Sequence, residues 1–173
     1  MASKGIYLTP DLSCYGIMVR PPFEDFLPPD GKKKNAEVMK QGLEALKIAN
    51  NAGVTICYGS DLLTSMQALQ TEEFTVRSQV LPSPEILKHP TTNAVKPAIA
   101  HPGHGQLLSL AEMLNKTSLL GTISVGAYGD LLVLNANPLE DITILDRPED
   151  HLLAIVKEGR VIISKVSGLE KDV

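Results

Sequence analysis

Apolar positions along this chain change their period several times, and each change predicts an element. Ile6 to Thr9 is a short, β-prone apolar run closed by Pro10, and it predicts a buried strand. A proline-rich polar stretch over residues 20–34 predicts a long irregular loop, of the kind used as a lid or binding loop. Ala36, Met39, Leu43, Leu46 and Ala49 then recur at spacings of three and four, which is one apolar stripe of a helix. Asn35 is placed to cap that helix, and Gly53 to end it in the left-handed conformation. Val54 to Tyr58 is a β-branched strand with Gly59-Ser60-Asp61 at its C-terminal end. Strand, loop, helix and strand in that order make a β/α unit with parallel neighbours.

Residues 72–80 and 84–94 predict helices, with Pro90 breaking the second, and Gln106 to Asn115 predicts another. The pattern then turns to strands. Asp130 to Leu134 is one. Ala154 to Lys157 and Arg160 to Ile163 flank Glu158-Gly159, a two-residue hairpin signal. The chain therefore reads as α/β first and β-hairpin last, with no internal repeat.

Composition narrows the class. With 173 residues, 43% hydrophobic and 21% charged, the chain can form an ordinary globular core. A formal charge of -4 and no basic stripe argue against nucleic-acid and anionic-membrane partners. Lys32-Lys33-Lys34 reads as a solvated turn. Cys14 and Cys57 are isolated, which suggests a reducing, cytoplasmic setting. No apolar run has the length of a membrane span, and residues 1–5 carry no leader-like apolar region.

Several segments together resemble the metal-dependent amidohydrolase superfamily, in the branch of imidazolonepropionase-like and prolidase-like enzymes. Lys4-Gly5-Ile6-Tyr7-Leu8-Thr9-Pro10 resembles a late barrel strand. Ala52-Gly53-Val54-Thr55-Ile56-Cys57-Tyr58-Gly59-Ser60-Asp61 resembles the last one. Thr91-Thr92-Asn93-Ala94 matches a helix motif of the family. Gly121-Thr122-Ile123, Gly129-Asp130-Leu131-Leu132-Val133-Leu134, Asn137-Pro138-Leu139-Glu140-Asp141-Ile142 and Val156-Lys157-Glu158-Gly159-Arg160-Val161 match the closing β segment. Each motif is weak alone, but their order and spacing agree over nearly the whole chain.

The resemblance implies the C-terminal part of a TIM (β/α)8 barrel followed by strands of a composite β-sandwich. Residues 1–118 would be the last β/α units, with an insertion over about 95–110, and residues 119–173 the C-terminal β segment. It implies hydrolysis of a carbon–nitrogen bond in a small non-peptide amide or cyclic amide. The implied cofactor is one or two divalent metal ions, zinc by expectation. Asp61 would be both a metal ligand and a catalytic residue, exchanging a proton with the metal-bound hydroxide.

Departures from the family pattern qualify this. Its His-x-His pair, metal-bridging lysine and two further histidines have no counterpart here, and Ser60 and Gly129 replace the usual Thr and Ala. A whole barrel needs about 250 residues. The stretch from Val95 to Leu110 also lacks a counterpart, as a loop insertion or a retained intron. The isolated chain is expected to lack hydrolase activity and to associate through open strand edges, and a homo-oligomer is left open. The alternative is a non-catalytic remnant or a truncated gene model, acting only, if at all, through assembly with another chain.

Other candidates have blander readings. His101 and His104 read as solvated loop residues without a third ligand, and His89 and His151 as ordinary surface residues. Glu72 and Glu73 open a helix, where carboxylates suit the helix dipole. Asn93 ties helix to loop, and Cys57 packs in the core.

Overall fold

The computed structural model describes residues 1–94 and 120–172, and the chain divides into two compact units, Met1–Pro82 and Ser83–Val173. The architecture is mixed helix and sheet. The predicted helix over 106–115, the segment 95–110, His101 and His104 lie outside the described residues.

In the first unit the two predicted strands meet, but only through one parallel bridge, Leu8 to Ile56. Leu8 donates its N–H to the Thr55 carbonyl, and Cys57 donates to the Leu8 carbonyl. The parallel sense agrees with the β/α order, while the expected ladders shrink to this bridge. Ile56 is fully buried there and Cys57 half-buried.

The long loop is shorter than expected. Helix α1 (Ser13–Ile17) follows the first strand segment, and helix α2 runs over Pro29–Asn51. Pro29 sits at the first helical positions, where its missing N–H costs nothing, and Asp30 favours the positive end of the dipole. Lys32-Lys33-Lys34 therefore lies in the first turns of a helix, not in a loop turn. Asn35 is likewise inside the helix and does not cap it. Its side-chain amide donates to the Tyr15 carbonyl at 2.6 Å, tying α2 to α1. Leu46 and Ala49 are buried as expected, but the inner stripe passes through Asn35 and leaves Ala36 exposed. Gly42 lies on that stripe because a Cβ there would meet Leu12 Cδ2 at 2.6 Å. Gly53 ends the helix with φ 69, as its position predicted.

After Asp61 come a 3-10 turn over Thr64–Leu69 and helix α3 (Glu72–Ser78). Cys14, Ile17, Leu62 and Met66 form a buried apolar cluster, with Tyr15, Met18, Phe23 and Leu69 packed against it. This core seats α1 against the chain that leaves Asp61.

The second unit holds helix α4 (Ser83–Lys88), a 3-10 turn over Ile142–Asp146, the short helix α5 (Pro148–His151) and a three-stranded antiparallel sheet. The sheet order is β1 (Leu131–Leu134), β2 (Leu152–Lys157) and β3 (Arg160–Ser164). The predicted hairpin forms, with Glu158 at φ 53 and Gly159 at φ 79, the two positive angles of a tight primed turn. Ala154 and Val161 are buried on one face. On the other, Leu132, Ile155 and Ile163 stand opposite one another across the three strands. Leu132 and Ile163 there are 58% and 49% exposed. His89 is buried in this unit, against the surface setting expected for it, and His151 Nδ1 lies 2.8 Å from Asn135 Oδ1. Asn93 ties helix to turn through its backbone, donating to the Lys88 carbonyl.

Candidate strand-end site

Two carboxylates lie beyond the ends of the parallel pair. Asp61 follows the second strand segment and is exposed, with φ 48. A non-glycine residue with positive φ is uncommon, and aspartate is among the side chains that tolerate it best. Asp11 follows Pro10 at the end of the first segment, and sequence reasoning missed it. A Cβ on Gly59 would meet Asp11 Oδ1 at 2.2 Å and Thr9 Cγ2 at 2.7 Å. Glycine is therefore required at position 59 to let the Asp11 carboxylate approach the backbone two residues before Asp61.

Burial raises the Asp11 pKa above the ordinary aspartate value. The negative charges of Glu73 and Asp61 push it the same way, and Arg77 opposes them. Cys14, one turn on, is pushed up to about 11, first by burial and then by Glu73, Asp61 and Asp11. Its thiol lies 3.1 Å from the Asp11 carbonyl. It is held protonated at neutral pH, the opposite of an activated nucleophile. Burial also raises Tyr7, with Cys57 adding to it.

These strand ends are tied together by a buried ion pair. Arg77 and Glu73 of α3 have 0% side-chain exposure, and Arg77 Nε donates to Glu73 Oε1 at 2.7 Å. The guanidinium also donates from Nη1 to the Cys57 carbonyl at 2.9 Å and from Nη2 to the Pro10 carbonyl at 2.6 Å. Glu73 Oε2 accepts the Leu12 and Ser13 amides at 3.0 and 2.6 Å, at the start of α1. Tyr58 stacks on Phe74 with ring centroids 4.6 Å apart, and the Arg77 guanidinium lies 5.0 Å from its centroid. Glu72 and Glu73 do open a helix, as read from sequence, but only Glu72 faces outward, paired with Arg20. The Glu-x-x-x-Arg spacing was the available signal for the buried pair.

Among the described residues no three His, Cys, Asp or Glu side chains gather as a metal site. Two carboxylates fall short of the four donors that a structural zinc takes, or the three of a catalytic one. The described residues therefore do not by themselves fit a zinc centre. What they can do is accept or hold a proton and attract a cation at the strand ends.

No protein-family model matches the chain, and no curated protein does. Solved structures do. A crystal structure described as an amidohydrolase superposes with a TM-score of 0.74 at 30% identity, covering 94% of this chain and 36% of that one. A prolidase crystallised with N-methylphosphonate-L-proline superposes with a TM-score of 0.72 at 34% identity, covering 93% and 36%. The chain belongs to the amidohydrolase family. It spans about a third of the length of these relatives, consistent with a C-terminal portion of the amidohydrolase chain. A. niger ochratoxinase, at 23% identity and a TM-score of 0.70, shares the fold. No helix among the described residues is long and apolar enough to cross a membrane.

Proposed function

We propose that this chain is part of a hydrolase of carbon–nitrogen bonds, acting on a small non-peptide amide or cyclic amide, and that Asp61 is its catalytic carboxylate. The supporting observation is the position of Asp61, in a left-handed conformation at the end of the Leu8–Ile56 parallel pair. Barrel enzymes carry their reacting groups at such strand ends. On this reading, residues 1–118 are the last β/α units of a TIM barrel, and residues 119–173 are strands of a composite β-sandwich. The whole enzyme would hold one or two divalent ions, with zinc expected. Asp61 is the ligand offered here, and the other donors come from outside the described residues. The setting proposed is cytoplasmic.

A second reading has its own support. The apolar row Leu132, Ile155 and Ile163 suits a non-catalytic chain that acts by assembly with another polypeptide or with its own copies.

One experiment separates the two. Mass spectrometry on the native source identifies the longest polypeptide that carries this sequence. That polypeptide is assayed on N-acyl amino acids and cyclic amides, as wild type and as Asp61→Asn. Hydrolysis that falls at least a hundredfold in the variant supports the hydrolase. No hydrolysis supports assembly as the function, and hydrolysis indifferent to Asp61→Asn removes Asp61 from the catalytic role.

A further inference from the structure

The Glu73–Arg77 pair does more than fill the interior. A buried ion pair contributes little net stability, because desolvating two charges offsets most of their attraction. This pair is nevertheless fully enclosed, and its outward bonds go to the same small part of the fold. Arg77 grips the carbonyl just before Asp11 and the carbonyl four residues before Asp61. Glu73 grips the two amides just after Asp11. Asp11 is thus held on both sides along the chain. The strand segment leading to Asp61 is held at Cys57, and again at Tyr58, whose hydroxyl donates to the Gln70 carbonyl at 2.7 Å. Only one parallel bridge joins the two strand segments. The side-chain pair supplies cross-links that a longer ladder would otherwise provide.

We propose that Glu73 and Arg77 are positioning residues that fix Asp11 and Asp61 relative to each other at the strand ends, with Asp61 held in its left-handed conformation. Describing Asp61 as the carboxylate being positioned for reaction rests on the hydrolase reading above. The geometric claim does not. Arginine suits the role because its planar fork reaches two carbonyls and a carboxylate at once. Lysine keeps the charge beside Glu73 but cannot make the three bonds in fixed directions.

The test uses NMR on the 173-residue chain as wild type, Arg77→Lys, Glu73→Gln and Leu46→Ala. Leu46 is buried in α2, so its truncation is a general loss of core in the same unit. Backbone shifts and couplings report the φ of Asp61 and the hydrogen-bonded state of the Leu12 and Ser13 amides, while denaturant titration reports stability. The expected result is that Arg77→Lys moves Asp61 out of the left-handed region. Glu73→Gln should shift the Leu12 and Ser13 amides, and Leu46→Ala should lower stability with both features intact. Asp61 and those amides unchanged in both Arg77→Lys and Glu73→Gln, at whatever cost in stability, would overturn the proposal. Should Glu73→Gln fail to fold, Arg77→Lys decides alone, since it retains the ion pair. None of these readouts needs turnover, so the hydrolase assay can fail while the positioning claim stands, and the reverse.

Discussion

Leu8 and Ile56 are joined by a single bridge, while β1, β2 and β3 share two antiparallel pairings of several residues, each with one register shift. The two regions reach order by different means. Between β2 and β3 the pairing follows from neighbours in sequence and from one turn with two positive φ angles. In the strand-end region the partners are about fifty residues apart, and side chains of α3 finish what the backbone begins. Local coding gives a sheet that needs no special interior chemistry but leaves Leu132 and Ile163 facing outward. Long-range coding gives a site whose geometry depends on two buried charges. A reacting group is better placed on the second kind of frame, since its surroundings are over-determined by directional bonds.

The two regions should differ most in their response to a change at Arg77. Arg77→Met leaves Glu73 buried without its partner, and removal of one member of a buried pair costs about 3–5 kcal/mol. Urea unfolding followed by circular dichroism should show that loss. A cost under 1 kcal/mol would mean that the two regions are held alike, by apolar packing.

A smaller effect is expected at the hairpin. Gly159→Ala places a Cβ on a residue at φ 79, a conformation that costs an ordinary L-residue about 1–2 kcal/mol. The same unfolding measurement checks it. The loss should appear with Asp61 and its neighbours unshifted in the NMR spectrum.

The smallest effects depend on pH. Because Asp11 has a raised pKa in the folded chain, it favours its protonated form there. Its contribution is therefore destabilising above that raised value, and absent below the ordinary aspartate range. Asp11→Asn should be more stable than wild type at pH 7, with the difference fading as the pH falls toward 3. Cys14 acts at the other end of the scale. Between the usual thiol value of 9.0 and about 11 the unfolded chain ionises first, so stability falls through that window and then levels off. Cys14→Ser should flatten that alkaline decline.

Much of the fold was legible because it is local. The hairpin at Glu158-Gly159 and the helix end at Gly53 follow from turn chemistry over short distances, and the parallel sense of Leu8 with Ile56 follows from the order of strand, helix and strand between them. The start of α2 was misplaced because Asn35 is an excellent cap in isolation. The Tyr15 carbonyl, twenty residues earlier, makes a better partner for its side chain, and Pro29 opens the helix instead. At the site, Asp61 could be found from its place after a strand. Asp11 could not, and Glu73 and Arg77 showed only their four-residue spacing, because what the pair binds lies far along the chain, as from Arg77 to Pro10. His89 misled for the same reason, since nothing in its neighbours along the chain signals burial.

The positive φ of Asp61 has a practical side. An alanine exchange at this position would remove a carboxylate and, in the same stroke, install a residue that resists the local backbone shape. Loss of function in that variant would mix two causes. Asparagine carries no charge yet visits the left-handed region readily, and glycine does so with no side chain at all. The pair Asp61→Asn and Asp61→Gly therefore separates chemistry from conformation, and sequences that keep only Asp, Asn or Gly here would mark selection on shape as well as on charge.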